Sequence, residues 1–467
     1  MPQGWQRYWA TYVVIGAGVA LRVAMFVAMP PRLAYDNHYR VIELMRAGHR
    51  LPRPDECWEC YQPPLYYVVA SGVYSAAGAM SSGDSAAATA SARKAVQGIS
   101  LVAGCCTLFF CLAILRRVCP CDPFTEAVCL GAVAVLPQHL FMSAMATNDA
   151  TCYLLATVAI WGTVRLLEAW AWKWVIVSAT FAGASVLCKG YGWVTVGAVG
   201  LVLAVQAARG MSRGAKFAAW GVVALLIAAG PSIRNLQIYG RVHVDNFDFI
   251  TNPMANQPPG KIDRVEFATF RLLSLIEHPW LHVSQCASFW TNLYARHWFD
   301  FEGLSLTLAE APEWRAYRKS LPPAARPPSL DDWNRLLDWP ASAVPDELRK
   351  VAVTSYVAGL PISAAVCAGL LLVFVRGREA KLWLIVGHQI ACLCVPVFQT
   401  IRLPVFSAMK AAFTLSAISS AAVLAAFCVQ RLPGRWATIV RVIMSACLVV
   451  VAVGAMALTG WFYRHAA

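Results

Sequence analysis

Apolar runs of about 18 residues or more recur along this chain, separated for most of its length by short basic loops. About 20 helical residues cross the hydrocarbon core of a bilayer. Isolated strands cannot satisfy their backbone groups in lipid, whereas a helix satisfies its own. The pattern therefore predicts an all-α integral membrane protein with about eleven spans. They fall near 10–29, 94–115, 124–145, 149–167, 173–188, 191–208, 216–234, 350–375, 381–399, 404–429 and 437–462. The first run has no convincing cleavage site, so it reads as a span rather than a leader. The apolar piece 62–80 is bracketed by Pro63-Pro64 and a Ser/Gly tract, and reads as a short helix at the interface.

Composition sharpens the class. Only 14% of the 467 residues are charged, against about 25% in soluble domains, and the mean hydropathy is +0.54. A net charge of +14 would suggest nucleic acid in a soluble protein. Here the bases sit in loops between spans, so no nucleic-acid partner is expected, and membrane lipids are.

Those loops also set an orientation. Arg116/Arg117, Arg165/Lys173, Arg209/Arg213/Lys216, Arg376/Arg378/Lys381 and Arg431/Arg435/Arg441 fall in alternate connections. The positive-inside rule makes them cytoplasmic, with the N-terminus inside and the C-terminus outside. Three units follow: a transmembrane module over 1–240, whose first outer loop (30–93) carries the site; a large outer loop over 235–347; and C-terminal spans over 348–467. Within the large loop, Trp290, Tyr294 and Trp298 recur every four residues and share one helix face, read as an interfacial aromatic belt.

Sixteen cysteines lie mostly inside apolar runs, as small hydrophobes. Cys57/Cys60 and Cys119/Cys121 are close pairs, but the orientation puts them on opposite faces, which excludes a four-cysteine zinc site. Cys57 and Cys60 either form a local disulfide in an oxidising compartment or stay reduced.

The outer face collects the candidate chemistry: Asp36, His38, Glu59, Asn148, Asp149, Lys189, Arg234, Arg296, His297, Asp300 and Arg402. Acids and bases at one membrane face suit a reaction between a lipid-borne anionic donor and a polar acceptor. The donor phosphate needs Lys or Arg, and the acceptor hydroxyl needs a carboxylate base. Each residue also has a plainer role. Asp36 or Asp149 could cap a helix, and Lys189 or Arg234 could snorkel to the interface. Arg22 lies within the first span, where a charge usually has a partner. No metal is assigned, and a divalent ion between Asp36, His38 and Asp149 is the option kept open.

At these residues the chain resembles the GT-C class of polytopic glycosyltransferases, especially the lipid A aminoarabinose transferases and the protein O-mannosyltransferases. Four features carry the likeness: Tyr35-Asp36-Asn37 after the first span, Tyr61-Gln62-Pro63-Pro64-Leu65-Tyr66-Tyr67, Thr147-Asn148-Asp149 opening the fourth span, and Arg234-Asn235 to Tyr239-Gly240 closing the seventh. The likeness covers roughly residues 10–240, and the remainder by topology alone. It implies a polyprenyl-phosphate-linked sugar donor, a lipid, glycan or protein acceptor, and an inverting direct displacement. It makes Asp36 the base and Asp149 the second acid. Tyr61 and Gln62 join the substrate-binding residues, with Gln62 where relatives often carry Lys or His. The alternative from another class is a multi-pass transporter or lipid flippase. Such proteins place polar sites near the midplane of two repeated halves, and no repeat is evident here.

Overall fold

A computed structural model describes residues 4–34, 36–80, 85–244, 248, 267–277, 279, 288–299, 346–402 and 410–465. The described residues are helical apart from turns and one isolated bridge, Ala34 to Ala146. The helices are α1 (Gly4–Ala28), α2 (His38–Gly48), α3 (Leu65–Met80), α4 (Ser85–Val118), α5 (Pro123–Ala134), α6 (Pro137–Ala144), α7 (Asn148–Ala169), α8 (Trp172–Cys188), α9 (Gly192–Ala207) and α10 (Met211–Tyr239). Beyond them lie α11 (Leu272–Glu277), α12 (Phe289–Trp298), α13 (Asp346–Arg376), α14 (Ala380–Arg402), a 3₁₀ helix (Ala411–Ala417), α15 (Ile418–Arg431) and α16 (Gly434–His465).

Eight of these are long and apolar enough to cross a membrane, with α15 counted together with the 3₁₀ turn before it. A ninth crossing is the bent pair α5–α6, and α3, α8 and α9 are shorter apolar helices. Every run read as a span is helical where described, but whether eleven of them cross depends on α8 and α9.

The third run, expected as one helix over 124–145, is broken. The axes of α5 and α6 differ by 55°, and Pro137 opens α6 where it lacks an N–H for the preceding turn. The buried Arg22 side chain fills the break. Its Nη1 donates to the carbonyls of Gly18 and Ala134, each at 2.8 Å, and its Nη2 donates to Val133 O at 3.3 Å. Nη2 also donates to His139 Nδ1 at 2.6 Å. The charge within the first span therefore has partners, and two of them are the carbonyls that end α5.

The aromatic helix differs from expectation too. In α12, Trp290 remains exposed, but Trp298 is buried and donates from Nε1 to Ser363 Oγ at 3.0 Å. Its ring lies flat on Gly359, where a Cβ would come within 2.3 Å of it. The Tyr294 hydroxyl bonds the carbonyl of Tyr356. Tyr294 and Trp298 therefore meet α13, and all three rings wall an apolar cavity of about 460 Å³.

The loops divide between two ends of the bundle. At one end, Arg117 pairs with Glu168 at 2.9 Å, Lys381 donates to Arg117 O at 2.9 Å, Gln430 Nε2 donates to Pro120 O at 2.6 Å and Arg441 pairs with Asp122 at 3.2 Å. These ties gather four of the basic loops. At the other end, Gln97 Nε2 donates to the carbonyls of Pro30 and Leu33, at 2.8 and 2.9 Å, and Ala146 N donates to Leu33 O. Helix α4 carries both Gln97 and Arg117, so roughly 30 Å of helix separates the two ends.

Candidate active site

The site lies at the second end, and the turn after α1 organises it. Tyr39 donates its hydroxyl proton to Pro31 O at 2.7 Å, and Lys94 Nζ donates to Met29 O at 2.6 Å. With Gln97, these bonds fix the turn that presents Asp36. Asp36 itself has φ 71°, in the left-handed region that non-glycine residues seldom adopt. It caps no helix: Asn37 is the residue before α2, and the Asp36 carboxylate points instead to Lys410, with Oδ1 3.0 Å from Nζ. Among the described residues Oδ2 has no hydrogen bond.

Asp149 makes the second acid–lysine pair. Thr147, not Asp149, caps α7, its hydroxyl accepting from Asp149 N at 3.1 Å. The Asp149 carboxylate is fully buried. It accepts from Lys189 Nζ at 2.6 Å, from the Tyr191 hydroxyl at 2.6 Å and from the Thr147 hydroxyl at 2.9 Å. A buried carboxylate needs such partners. Asn148 turns away from this cluster, donating from Nδ2 to Cys188 O at 3.3 Å and so joining α7 to the end of α8.

His38 lies between the pairs. It is fully buried, with Nδ1 2.8 Å from the Tyr67 hydroxyl. Burial first, then the charge of Lys189, push it down to about 3, so the ring is neutral. Glu59 is the third acid. It is buried and accepts from Gln62 Nε2 at 3.1 Å, and the same amide donates to the Tyr61 hydroxyl at 2.8 Å. Burial, then the nearby Asp36 charge, push Glu59 up to about 7, against the pull of Lys189 and Lys410. Cys57 and Cys60 form a disulfide across this turn, with Cα atoms 5.0 Å apart.

A cavity of about 260 Å³ opens beside these groups. Tyr61, Gln62, Lys189, Tyr191, Arg402 and Phe413 are among its walls. Lys189 thus faces the cavity while holding Asp149. Of the predicted donors, Lys189 and Arg402 share this cavity and Arg234 does not line it. The Arg234 guanidinium donates to Pro52 O at 2.8 Å and Leu51 O at 3.2 Å, and the Tyr239 hydroxyl donates to Asp55 at 2.9 Å. The Arg-Asn…Tyr-Gly end of α10 therefore clamps the first loop, and Gly240, at φ 67°, supplies its left-handed cap. His297 bonds the Thr414 hydroxyl through Nε2 at 2.8 Å. Asp300 lies outside the described residues.

Lys410 is the functional residue that sequence reasoning missed. It stands 374 positions from Asp36, inside the run 404–429 that was read only as a span. The grouping Asp36–His38–Asp149 is not a metal cage here: no three metal-ligating side chains come together among the described residues, and each aspartate is paired with a lysine.

No family model and no curated protein matches the sequence. The fold matches the oligosaccharyltransferase of Archaeoglobus fulgidus, solved in the apo form. The TM-score is 0.53 at 12% identity, over 97% of this chain and 56% of that one. The chain thus spans little more than half the length of that enzyme. Weaker matches include ArnT from Cupriavidus metallidurans in the apo state, with TM-score 0.39, 15% identity, and 90% and 78% of the two chains covered. Another is the same enzyme bound to undecaprenyl phosphate, with TM-score 0.38, 14% identity, and 92% and 79% covered. The likeness to the archaeal oligosaccharyltransferase, a GT-C enzyme, is one of fold: the chain has a helical membrane bundle of that kind.

Proposed function

We propose that the protein is a membrane glycosyltransferase that moves a sugar from a polyprenyl-phosphate carrier to a hydroxyl acceptor on the outer face. The observation that carries this reading is the pair of acid–lysine contacts, Asp36–Lys410 and Asp149–Lys189, beside a cavity that Lys189 and Arg402 line. A transporter would want its polar groups near the midplane, whereas these gather at one end.

In this reading the carrier phosphate sits by Lys189 and Arg402, which suit an anion through charge-assisted hydrogen bonds. It also draws Lys410 from Asp36, which frees the carboxylate. The acceptor oxygen attacks the anomeric carbon as the bond from that carbon to the phosphate oxygen breaks. Asp36 takes the hydroxyl proton, and the carrier leaves as polyprenyl phosphate with its electron pair. One base is enough, because the leaving group needs charge stabilisation rather than protonation. Direct displacement inverts the anomeric centre. Asp149 serves this scheme by holding Lys189, since its carboxylate has no exposed surface.

The test is transfer of labelled sugar from a polyprenyl-phosphate donor into membrane lipid, glycan or protein by the purified protein in liposomes. Asp36→Asn keeps shape and removes the base, so it should lower turnover by about 10² to 10⁴ while the donor still binds. Asp55→Asn, whose parent carboxylate is held by Arg53 and Tyr239 on the loop surface, should stay near wild type. Wild-type turnover by Asp36→Asn excludes this role for Asp36.

A further inference from the structure

We infer that Tyr153, buried in α7, is a positioning residue that sets Lys410 against Asp36. The inference rests on the reading of Lys410 as a donor-phosphate ligand. Tyr153 lies four residues after Asp149, so both project from one face of α7, a turn apart. Asp149 fixes Lys189 directly. Tyr153 reaches the other lysine through the backbone: its hydroxyl donates to Ala412 O at 2.8 Å, two residues after Lys410.

The segment that carries Lys410 needs such an anchor. It opens a 3₁₀ helix, which has poorer hydrogen-bond geometry than an α-helix. Its buried Ala411, Ala412 and Leu415 pack into the core, and directional contacts add to that packing and to the Lys410–Asp36 pair. Among them are the Tyr153 hydroxyl, the edge-on contact of Phe413 with Tyr191 at 5.7 Å, and the Thr414–His297 bond. Tyr153 and Tyr191 both tie the segment to the Asp149 cluster, because Tyr191 also bonds Asp149. The same helix face therefore registers both acid–lysine pairs, and a shift of α7 moves both lysines together.

Behind Tyr153 the chain of contacts continues into the bundle. Its ring lies 6.0 Å from that of His139, tilted by 31°, and His139 Nδ1 accepts from Arg22. The break between α5 and α6 is thus what brings His139 against Tyr153. The ring is confined from behind by His139 while its hydroxyl reaches Ala412 O.

Tyr153→Phe tests this, since it keeps the ring and removes only the hydroxyl. Two readouts are needed, both on full-length protein in nanodiscs. In the first, amide exchange should quicken in the peptide covering Lys410–Ala417 and stay unchanged in α7 and α8. In the second, binding of undecaprenyl phosphate should weaken by about tenfold, roughly the effect of one lost hydrogen bond. In a Lys410→Ala background the same substitution should cause no further loss, because its effect passes through Lys410. Unchanged exchange in that peptide overturns the anchor. An equal loss with and without Lys410 overturns the route through the lysine and leaves a structural role. If the wild-type protein binds no polyprenyl phosphate, the functional reading falls, and the exchange arm still decides the anchor.

Discussion

Glu59 is the acid of the site that has no cation of its own among the described residues, its recorded partner being the Gln62 amide. Burial, then Asp36, raises it to about 7, with Lys189 and Lys410 opposing, above an ordinary value of about 4.3. The sign follows from proton counting. Between the two values the folded protein holds a proton that the unfolded chain has lost. Stability contributed here therefore falls as pH rises through that window. Glu59→Gln removes the titration, so it should melt above wild type at pH 8 and converge with it near pH 4.5. Thermal melts of the solubilised protein at both values check this, and a pH-independent difference between the two proteins counts against it. At this scale the sequence offered Asp36, Asp149 and Lys189 as candidates, because they stand at ends of apolar runs. It did not show their pairing. Lys410 and Asp36 meet only when the tenth apolar run folds back onto the first turn. Arg234 looked like a phosphate ligand for the same reason as Lys189, but it bonds backbone carbonyls of the first loop.

The broken span stands behind the site, with His139 of α6 against the Tyr153 ring. Pro137 marks the break in the sequence, but the period of the apolar residues continues through it, so one helix was the natural expectation. What the pattern hides is the plug. Arg22 satisfies the last carbonyls of α5 and orients His139, and no local spacing links residue 22 to residue 139. Arg22→Met preserves much of the volume but leaves those acceptors buried and unpaired. Each such group costs about 1–3 kcal/mol, so the variant should lose several kcal/mol and inactivate faster on heating. Arg22→Lys should recover only part, since one ammonium cannot reproduce the planar fork. A half-life of Arg22→Met at elevated temperature equal to wild type would mean that the break holds without its plug. The aromatic face of α12 shows the same limit. Its period was right, but the periodicity cannot distinguish rings facing lipid from rings facing α13.

For the whole molecule, we propose that the basic end faces the cytoplasm and the disulfide end faces outside, on two independent lines of observation. Basic loops distant in sequence gather at one end, tied by Arg117–Glu168, Lys381–Arg117 and Arg441–Asp122. Bases next to spans are retained on the cytoplasmic side during insertion. The opposite end carries the Cys57–Cys60 disulfide, and disulfides persist in oxidising compartments outside the cytosol. The first line comes from charge and the second from redox chemistry, and neither uses the likeness to known enzymes. The roughly 30 Å of α4 between Gln97 and Arg117 matches the hydrocarbon thickness, so the two ends fall on opposite faces of one bilayer. Under the proposed function, a phosphate-bearing lipid in the outer leaflet would present its headgroup at the depth of Lys189 and Arg402. The orientation is tested by inserting a protease site after Gly377, at the basic end, and in a second variant after Asp248, in the large loop. Protease added outside sealed right-side-out vesicles should cut the second site and spare the first, and detergent should expose both. Cutting after Gly377 in sealed vesicles would invert the molecule. It would put the disulfide in a reducing compartment and leave the two acid–lysine pairs facing the wrong leaflet for an outer-face transfer.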